Sequence, residues 1–132
     1  MGRLCGVLFA AWLAVVAASA AALEIEAESG ILSGNLSLRE HDGASGGYRV
    51  VGFRYEGDSL LFENVPGGKY LQITHSLATA GVKQTSIYLN GAYVATAVFP
   101  VTTDWNRYAS IWLPMPGPGD LELRLTAADV AA

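Results

Sequence analysis

The sequence predicts an all-β protein, an antiparallel β-sandwich that follows a hydrophobic leader. Three observations lead to this prediction. The chain has 132 residues, which is room for one ordinary domain. Several short segments alternate apolar and polar residues, a pattern that places every second side chain on the core face of a sheet. Turn-forming residues separate these segments at roughly 8–12-residue spacing, which is typical of sandwiches and barrels.

Residues 1–22 have the composition of a secretory signal peptide. Arg3 is the only charged residue of this stretch, residues 4–18 form an uncharged, mostly apolar run, and small residues fill positions 18–22, as a signal peptidase requires. We therefore predict a hydrophobic helix that is cleaved on secretion and leaves the domain 23–132. The alternative is a retained membrane anchor, since the run is close to the ~20 residues that cross a bilayer.

Composition excludes several classes of function for this domain. The one cysteine, Cys5, lies in the leader, so no disulfide is expected in the mature chain. The net charge is −4, and Arg3 leaves with the leader, which makes the domain more acidic still. An acidic domain is unsuited to tracking a phosphate backbone, so we expect no nucleic-acid partner. After cleavage no membrane contact is expected either.

The predicted strands follow one another without a convincing helix. Residues 23–27 alternate strictly, and residues 29–47 are polar and rich in Gly and Ser, which predicts a loop. The later strands are predicted at 48–53, 59–65, 69–77, 85–99 (a hairpin), 111–113 and 121–125. In the hairpin, Asn90-Gly91 predicts a type I′ turn because both central residues must adopt positive φ. Residues 126–132 have a weak pattern, so either the domain closes with the preceding strand or it lacks a final strand.

Several motifs, taken in order, resemble carbohydrate-binding module families 6 and 35. Each motif is weak alone, but their order and spacing across residues 24–126 are specific. The resemblance implies a jelly-roll-like β-sandwich fold. It also implies a secreted, non-catalytic module that binds plant or microbial polysaccharide or oligosaccharide and accompanies a glycoside hydrolase. The motifs are Ile25-Glu-Ala-Glu28, Ala44-Ser-Gly-Gly-Tyr-Arg-Val-Val-Gly-Phe53, Glu56-Gly-Asp-Ser-Leu60, Val65-Pro-Gly-Gly-Lys-Tyr70, Ile87-Tyr-Leu-Asn-Gly91, Val98-Phe-Pro100 and Thr103-Asp-Trp-Asn-Arg-Tyr108.

By the same resemblance, Tyr48 and Trp105 are the aromatic rings that flank a sugar in a cleft between loops. The chemistry is reasonable, because the C–H face of a pyranose can lie against a ring while its hydroxyls keep their hydrogen bonds. The structural alternative for Tyr48 is a core or rim aromatic that begins a strand. Tyr108 and Trp112 share a strand face, and we expect them to pack beneath a loop; a second sugar-binding surface is the alternative.

The resemblance also implies a structural Ca²⁺ held by Glu26 and Glu28, which are two residues apart and therefore on one strand face. Carboxylate oxygens suit Ca²⁺, although an outward-facing pair could simply be solvated. The sequence departs from the family after Leu125, where members have an Asn that bonds the sugar and an Asp that completes the calcium shell. Asp129 is a weak substitute for that Asp.

Two other functions stay open at this stage. One is a secreted structural or adhesion sandwich without sugar binding, and the other is a small glycosidase, for which no motif distinguishes a catalytic pair of carboxylates. His75 shares a face with Leu71 and Ile73, so we expect a packed rather than a catalytic histidine. Asn35 begins an N-glycosylation acceptor, which has meaning only in a eukaryotic secretory pathway.

Overall fold

The computed structural model describes residues 4–5, 10–16, 22–25, 29–40, 48–67, 70–78, 83–104, 107–114 and 117–132; for the first three stretches and residues 48–49 it describes the backbone alone. These residues form β1 (Leu4–Cys5), β2 (Ala10–Val16), β3 (Ala22–Ile25), β4 (Ile31–Ser33), β5 (Ser37–Glu40), β6 (Tyr48–Val51), β7 (Ser59–Val65), β8 (Tyr70–Ser76), β9 (Lys83–Leu89), β10 (Ala92–Phe99), β11 (Ala109–Pro114), β12 (Gly119–Arg124) and α1 (Ala127–Ala131).

Two packed sheets make up the fold. The first has the order β11-β8-β2-β1-β6-β5, with β3 also paired to β2, and the second has the order β10-β9-β12-β7-β4. Every pairing is antiparallel except the one between β1 and β6. The predicted all-β sandwich is confirmed. In the described part of the chain, no helix is long and apolar enough to cross a bilayer.

The core lies between the sheets and follows the alternation in the sequence. In β12, Leu121 and Leu123 are buried while Glu122 and Arg124 face outward, as the pattern predicts. Burying a side chain of this size contributes roughly 1.5–3 kcal/mol. The many buried side chains between the sheets therefore contribute more to stability than any single hydrogen bond. The buried apolar residues are Val50, Phe53, Leu60, Phe62, Val65, Leu71, Ile73, Leu77, Ile87, Ala97, Phe99, Leu121, Leu123 and Leu125.

The type I′ hairpin between β9 and β10 is confirmed. Asn90 and Gly91 have φ of 50° and 83°, the positive values that this turn requires. The Asn90 side chain has a second role, because its Oδ1 accepts a hydrogen bond from the backbone N–H of Asp120 at 2.9 Å. The hairpin is therefore tied to the start of β12.

Three segments differ from the sequence-based expectations. Residues 29–40, expected as loop, contain β4 and β5, whose side chains are mostly exposed and so give no apolar pattern. The tail forms the short helix α1. The leader is expected as a helix, but its residues Ala10–Val16 form a strand. All seven of these residues pair with β8, and four of them also pair with β3. Cleavage of the leader stays a prediction.

A buried carboxylate joins turns of the two sheets. Asp58 is 1% exposed, and its Oδ2 accepts the N–H groups of Arg54 and Tyr55, both at 2.9 Å. Its Oδ1 accepts hydrogen bonds from the backbone N–H of Asn35 at 2.8 Å and from the side-chain amide of Asn35 at 3.2 Å. Burial alone would raise the pKa of Asp58, but these bonds outweigh burial and lower it. Asp58 therefore fixes the turn after β6 to the turn after β4.

A second carboxylate fixes α1. Asp129 is buried, and its oxygens accept hydrogen bonds from Gln84 Nε2 at 2.8 Å and from the N–H and hydroxyl of Ser86 at 3.0 and 2.8 Å. Thr126 caps the helix and also donates its N–H to Asp129 at 2.9 Å. Burial acts to raise the pKa of Asp129, and the hydrogen bonds outweigh it and lower the pKa. Both carboxylate oxygens of Asp129 thus hold α1 against β9, which gives this residue a structural role.

The Asp58→Ala substitution should strongly reduce the free energy of unfolding. Three backbone N–H groups lose their acceptor, and bonds to a charged group are worth roughly 1.5–3 kcal/mol each, so we expect a loss of at least about 3 kcal/mol. Urea denaturation measures this loss. The matched control is Glu56→Ala, an exposed carboxylate in the same turn, which should change stability by less than about 0.5 kcal/mol. Equal effects of the two substitutions would contradict the assignment.

Stability should also fall in acid through the same two carboxylates. The folded-state pKa values of Asp58 and Asp129 lie below the ordinary value of 3.8, so their contribution is fully present above that pH. It is lost as pH falls below 3.8 towards the folded pKa, because the unfolded chain then binds more protons. Thermal midpoints measured between pH 7 and pH 2 test this prediction. Asp129→Asn should flatten the acid limb, and an unchanged slope would refute the role of this group.

Candidate functional site

The loops that could form a binding cleft gather at one end of the sandwich. There β4, β6, β8, β10 and β12 end and β5, β7, β9 and β11 begin. Two links show that both sheets share this end: Asp58 bonds Asn35, and Leu77 bonds Thr102. We call this region the loop end. It comprises the described residues 34–36, 52–58, 77–78, 100–104, 107–108 and 125–126.

The turns on one side of the loop end approach so closely that only glycine fits. A side chain at Gly34 would collide with the Asp58 carboxylate, and one at Gly52 would collide with the carbonyl of Asn35. Both glycines also have positive φ, 78° and 109°, a conformation that other residues adopt only under strain. The chain thus holds this side of the loop end in one arrangement.

The loop that contains Trp105 is anchored on the other side. The Thr102 hydroxyl accepts the N–H of Leu77 at 2.8 Å and donates to the carbonyl of Asp104 at 3.0 Å. The N–H of Arg107 donates to the same Asp104 carbonyl at 3.3 Å, and the two side chains form an exposed ion pair at 3.6 Å. Exposed pairs contribute little, so the Thr102 bonds are the main anchor.

The four predicted site residues lie largely outside the described residues. Trp105, Glu26 and Glu28 are outside them, and for Tyr48 only the backbone is described, at the start of β6. Tyr48 begins β6 at the end of the strand away from the loop end, and β1, β2 and β8 separate β6 from β11 in the sheet. Their roles in sugar and calcium binding therefore stay predictions.

The structure identifies an exposed aromatic at the loop end that the sequence analysis did not single out. Tyr55 is 53% exposed, in the turn that Asp58 holds, and the Arg54 guanidinium lies 5.8 Å from the centre of its ring. Phe53, two residues earlier, is fully buried. The spacing of two residues in an irregular turn does not reveal which ring faces solvent, so sequence alone could not separate them.

A second aromatic surface lies on the outer face of the first sheet. Trp112 and Tyr70 are 56% and 43% exposed, with ring centres 6.4 Å apart and planes at 87°. Gln72 lies directly across from Trp112, and the hydroxyls of Thr74 and Ser110 are hydrogen bonded at 2.7 Å. We call these five residues the β8–β11 surface. The expectation that Trp112 packs beneath a loop is wrong, since its strand turns this side chain to solvent.

On the outer face of the second sheet, the polar and aromatic side chains contact one another. The Arg124 guanidinium stacks on the ring of Tyr88 at 4.2 Å and bonds the carboxylate of Glu122, which raises the pKa of Arg124. Tyr93 lies edge-on to Tyr88 at 6.0 Å, and its hydroxyl bonds Thr96 at 2.7 Å. Since Arg124 covers one face of Tyr88, this surface offers less open ring than the first sheet.

Little in the described part of the chain indicates catalysis. His75 is fully buried edge-on against Phe99, and its Nε2 contacts the carbonyl of Pro100 at 2.8 Å. Burial lowers the pKa of His75, partly offset by this carbonyl. The predicted packed histidine is confirmed. Among the described residues, no cluster of His, Cys, Asp or Glu could hold a metal ion.

An apolar cavity of about 160 Å³ lies between the sheets. Its lining lacks the few convergent polar groups that orient a sugar, so it is a packing gap and not a carbohydrate site. The lining residues are Leu71, Ile87, Val94, Ala95, Leu113 and Pro114.

Sequence comparison finds one clear similarity to a curated protein. No family model matches the chain. Ninety of its residues, 67% of the chain, are 31% identical to an isomaltosyltransferase of Sporosarcina globispora, but they span only 8% of that enzyme. The chain is therefore similar to a small part of a much longer protein.

Structural comparison gives a more complete match. A family 35 carbohydrate-binding module from Clostridium thermocellum superposes with a TM-score of 0.62 at 23% identity, over 75% of this chain and 82% of the module. The module CsCBM6-3 from Clostridium stercorarium, solved with cellobiose, gives 0.60 at 20% identity, over 77% and 82%. A Paenibacillus cycloisomaltooligosaccharide glucanotransferase gives 0.66 at 23% identity, over 80% of this chain but 16% of the enzyme.

Two complete modules and one segment of a large enzyme thus share the same two-sheet arrangement with residues of this chain. Identities under 25% establish the fold and leave the ligand open. The chain has the galactose-binding-like β-sandwich fold of carbohydrate-binding modules of families 6 and 35.

Proposed function

We propose that this chain is a secreted, non-catalytic module that binds polysaccharide or oligosaccharide. The observation that carries the proposal is the size of the match. The chain aligns with 82% of two carbohydrate-binding modules, but with only 8% and 16% of the two enzymes. A match of this size supports a binding module.

The loop end is the proposed binding region. Trp105 belongs to a loop that Thr102 anchors, and Tyr55 stands exposed in a turn that Asp58 holds. A rigid setting matters because a ring that is already positioned loses little conformational entropy when a sugar stacks on it. Trp105 is the proposed sugar contact at the loop end. Tyr48, the second ring that the family pattern assigns, begins β6 at the end away from the loop end, so its contact with sugar is proposed from the resemblance alone.

The role of such a module is to hold an associated glycoside hydrolase, or the cell itself, close to a polysaccharide. Support comes from the enzymes above, each of which contains a segment similar to this chain. Their substrates belong to those proteins. For this chain they suggest which glycans to screen first: α-glucans after the two glucan-processing enzymes, and cello-oligosaccharides after CsCBM6-3.

The β8–β11 surface is the second place where sugar could bind. Its rings at right angles form a corner in which a pyranose could lie on one ring and touch the edge of the other. Gln72 and the hydroxyl of Ser110, which is held by the buried Thr74, supply neutral hydrogen-bonding groups beside it. Sugar binding at this face is favoured only if Trp112, and not Trp105, proves to be needed.

Replacing the proposed rings should weaken binding. Tyr48→Ala and Trp105→Ala should each reduce affinity for the retained glycan by tenfold or more, that is by at least about 1.4 kcal/mol, because the sugar face loses its apolar contact. Affinity gel electrophoresis with dextran and a soluble cellulose derivative measures the change. Tyr93→Ala, which removes an exposed ring from the other sheet, is the matched control and should leave retention unchanged.

Three outcomes separate the alternatives in this experiment. Loss of retention only in Trp112→Ala moves the site to the β8–β11 surface. No retention of the wild-type chain by any glycan would favour a structural or adhesion sandwich. New reducing ends released from the same polysaccharides would overturn the non-catalytic assignment and favour a small glycosidase.

We further propose that Glu26 and Glu28 bind a structural Ca²⁺. Both residues lie outside the described part of the chain, and support comes from the donor chemistry: two carboxylates provide the hard oxygen ligands that Ca²⁺ prefers. The ion would stabilise the start of the domain, which has no disulfide.

Calcium should therefore raise the thermal midpoint of the chain. A ligand that binds only the folded state stabilises it by about 2.7 kcal/mol at a concentration a hundred times its dissociation constant. Differential scanning fluorimetry in Ca²⁺, Mg²⁺ and EDTA tests this. Glu26→Gln and Glu28→Gln should abolish the Ca²⁺ increment, whereas the exposed Glu63→Gln should keep it. A midpoint that does not respond to Ca²⁺ removes calcium from the proposal.

A further inference from the structure

The leader segment occupies a central position in the first sheet. Strand β2 pairs with β8 over seven residues, from Ala10 opposite Ser76 to Val16 opposite Tyr70. On its other side β2 pairs with β3 over four residues, and β1 also pairs with it. A segment whose composition predicts removal on secretion thus lies between two strands of the domain that would remain.

Removal of β2 would leave the edge of β8 open. The core-facing side chains of β8, Leu71 and Ile73, are fully buried. The backbone N–H and C=O groups that now pair with β2 would lose their partners along six to seven residues. An unprotected strand edge of this length is a template for pairing with another segment. The domain after cleavage would therefore carry a vacant strand position along β8.

The described residues of the domain offer no strand to fill this position. Among the described strands, β3 pairs with β2 alone, so β3 loses its sheet partner together with β2, and its four residues are too few to cover the seven of β8. The tail is occupied elsewhere, because Asp129 ties α1 to β9 in the second sheet. The occupant must come from outside this set of residues.

We propose that the edge of β8 now covered by β2 is a strand-acceptor site for an extended, uncharged, proline-free apolar segment of about seven residues. The sequence of β2, Ala-Ala-Trp-Leu-Ala-Val-Val, defines that chemistry and fills the site in the uncleaved chain. After cleavage, a strand of the same type donated by another polypeptide segment binds antiparallel to β8 by β-augmentation. This inference does not depend on sugar binding.

The first experiment uses the complete chain, produced without export so that the leader is retained. A site-specific protease sequence is inserted within residues 17–21, which join β2 and β3, and the folded protein is cut. We expect the leader fragment to co-elute with the body on gel filtration and to separate only in denaturant. In hydrogen exchange, the alternate amides of Leu71–Ser76 that face β2 should stay protected after cutting. Immediate release of the fragment with no change in that protection would overturn the proposal.

The second experiment supplies the strand separately. The cut body, freed of its fragment in denaturant and refolded, is mixed with a synthetic peptide of residues 10–16 flanked by lysines. The peptide should bind at one site and restore protection at alternate amides of Leu71–Ser76. A peptide with Leu13→Pro should bind at least tenfold more weakly, because proline removes a donor in the middle of the strand. Equal binding of the two peptides would refute a strand site.

A third experiment uses the uncut chain and so does not depend on refolding of the cut domain. In the uncut chain, Leu13→Pro should lower the thermal midpoint and speed exchange of the β8 amides, while a proline at Ala17, just beyond β2, should do neither. If both prolines act alike, or neither acts, β2 does not contribute a strand to the sheet and the proposal fails.

Discussion

The buried carboxylate of Asp58 is the interaction on which the loop end depends. It receives hydrogen bonds from two turns that lie on different strand connections, one before β5 and one before β7. A carboxylate can do this because it accepts several bonds at once and carries the charge that strengthens each of them. Burial of that charge is tolerated only while all these donors are in place. The two glycines at positions 34 and 52 allow the turns to come close enough for this arrangement.

Several elements could be predicted from the sequence because their signals are local. β7 has the predicted bounds, Ser59–Val65, and the Asn90-Gly91 turn has the predicted backbone geometry. β12 alternates as expected because one of its faces is core and the other is solvent. In each case the information lies within about eight neighbouring residues, and tertiary contacts reinforce the local preference.

Other features could not be predicted, because they depend on contacts between distant residues. Asp58 meets Asn35 across 23 positions, and Asp129 meets Ser86 across 43. Nothing in the alternation of apolar and polar residues distinguishes these two aspartates from an exposed one such as Asp104. Strands β4 and β5 were missed for a related reason, since strands with mostly exposed side chains have no apolar alternation to detect.

The candidate site shows the same division between local and distant information. The sequence points to Trp105 and Tyr48 through a motif, but only packing decides which rings near them are open to solvent. Phe53 and Tyr55 illustrate this: they are two residues apart in one turn, and one is buried while the other is exposed. Trp112 is exposed for a simpler reason, because strict alternation in β11 turns it away from the core when Ile111 packs inward.

The leader brings the local and the distant arguments into conflict. Locally, an uncharged apolar run of this length indicates a helical signal peptide, whereas in the folded chain the same residues satisfy the backbone of β8 along its whole length. Both can hold in succession, because an apolar segment without proline or charge is compatible with a helix in the export pathway and with a strand in a sheet. What differs is the partner: a helix pairs its own backbone, and a strand must find its partners in neighbours. A domain that loses such a strand keeps the unpaired edge of β8, which can pair with a replacement strand of the same chemistry.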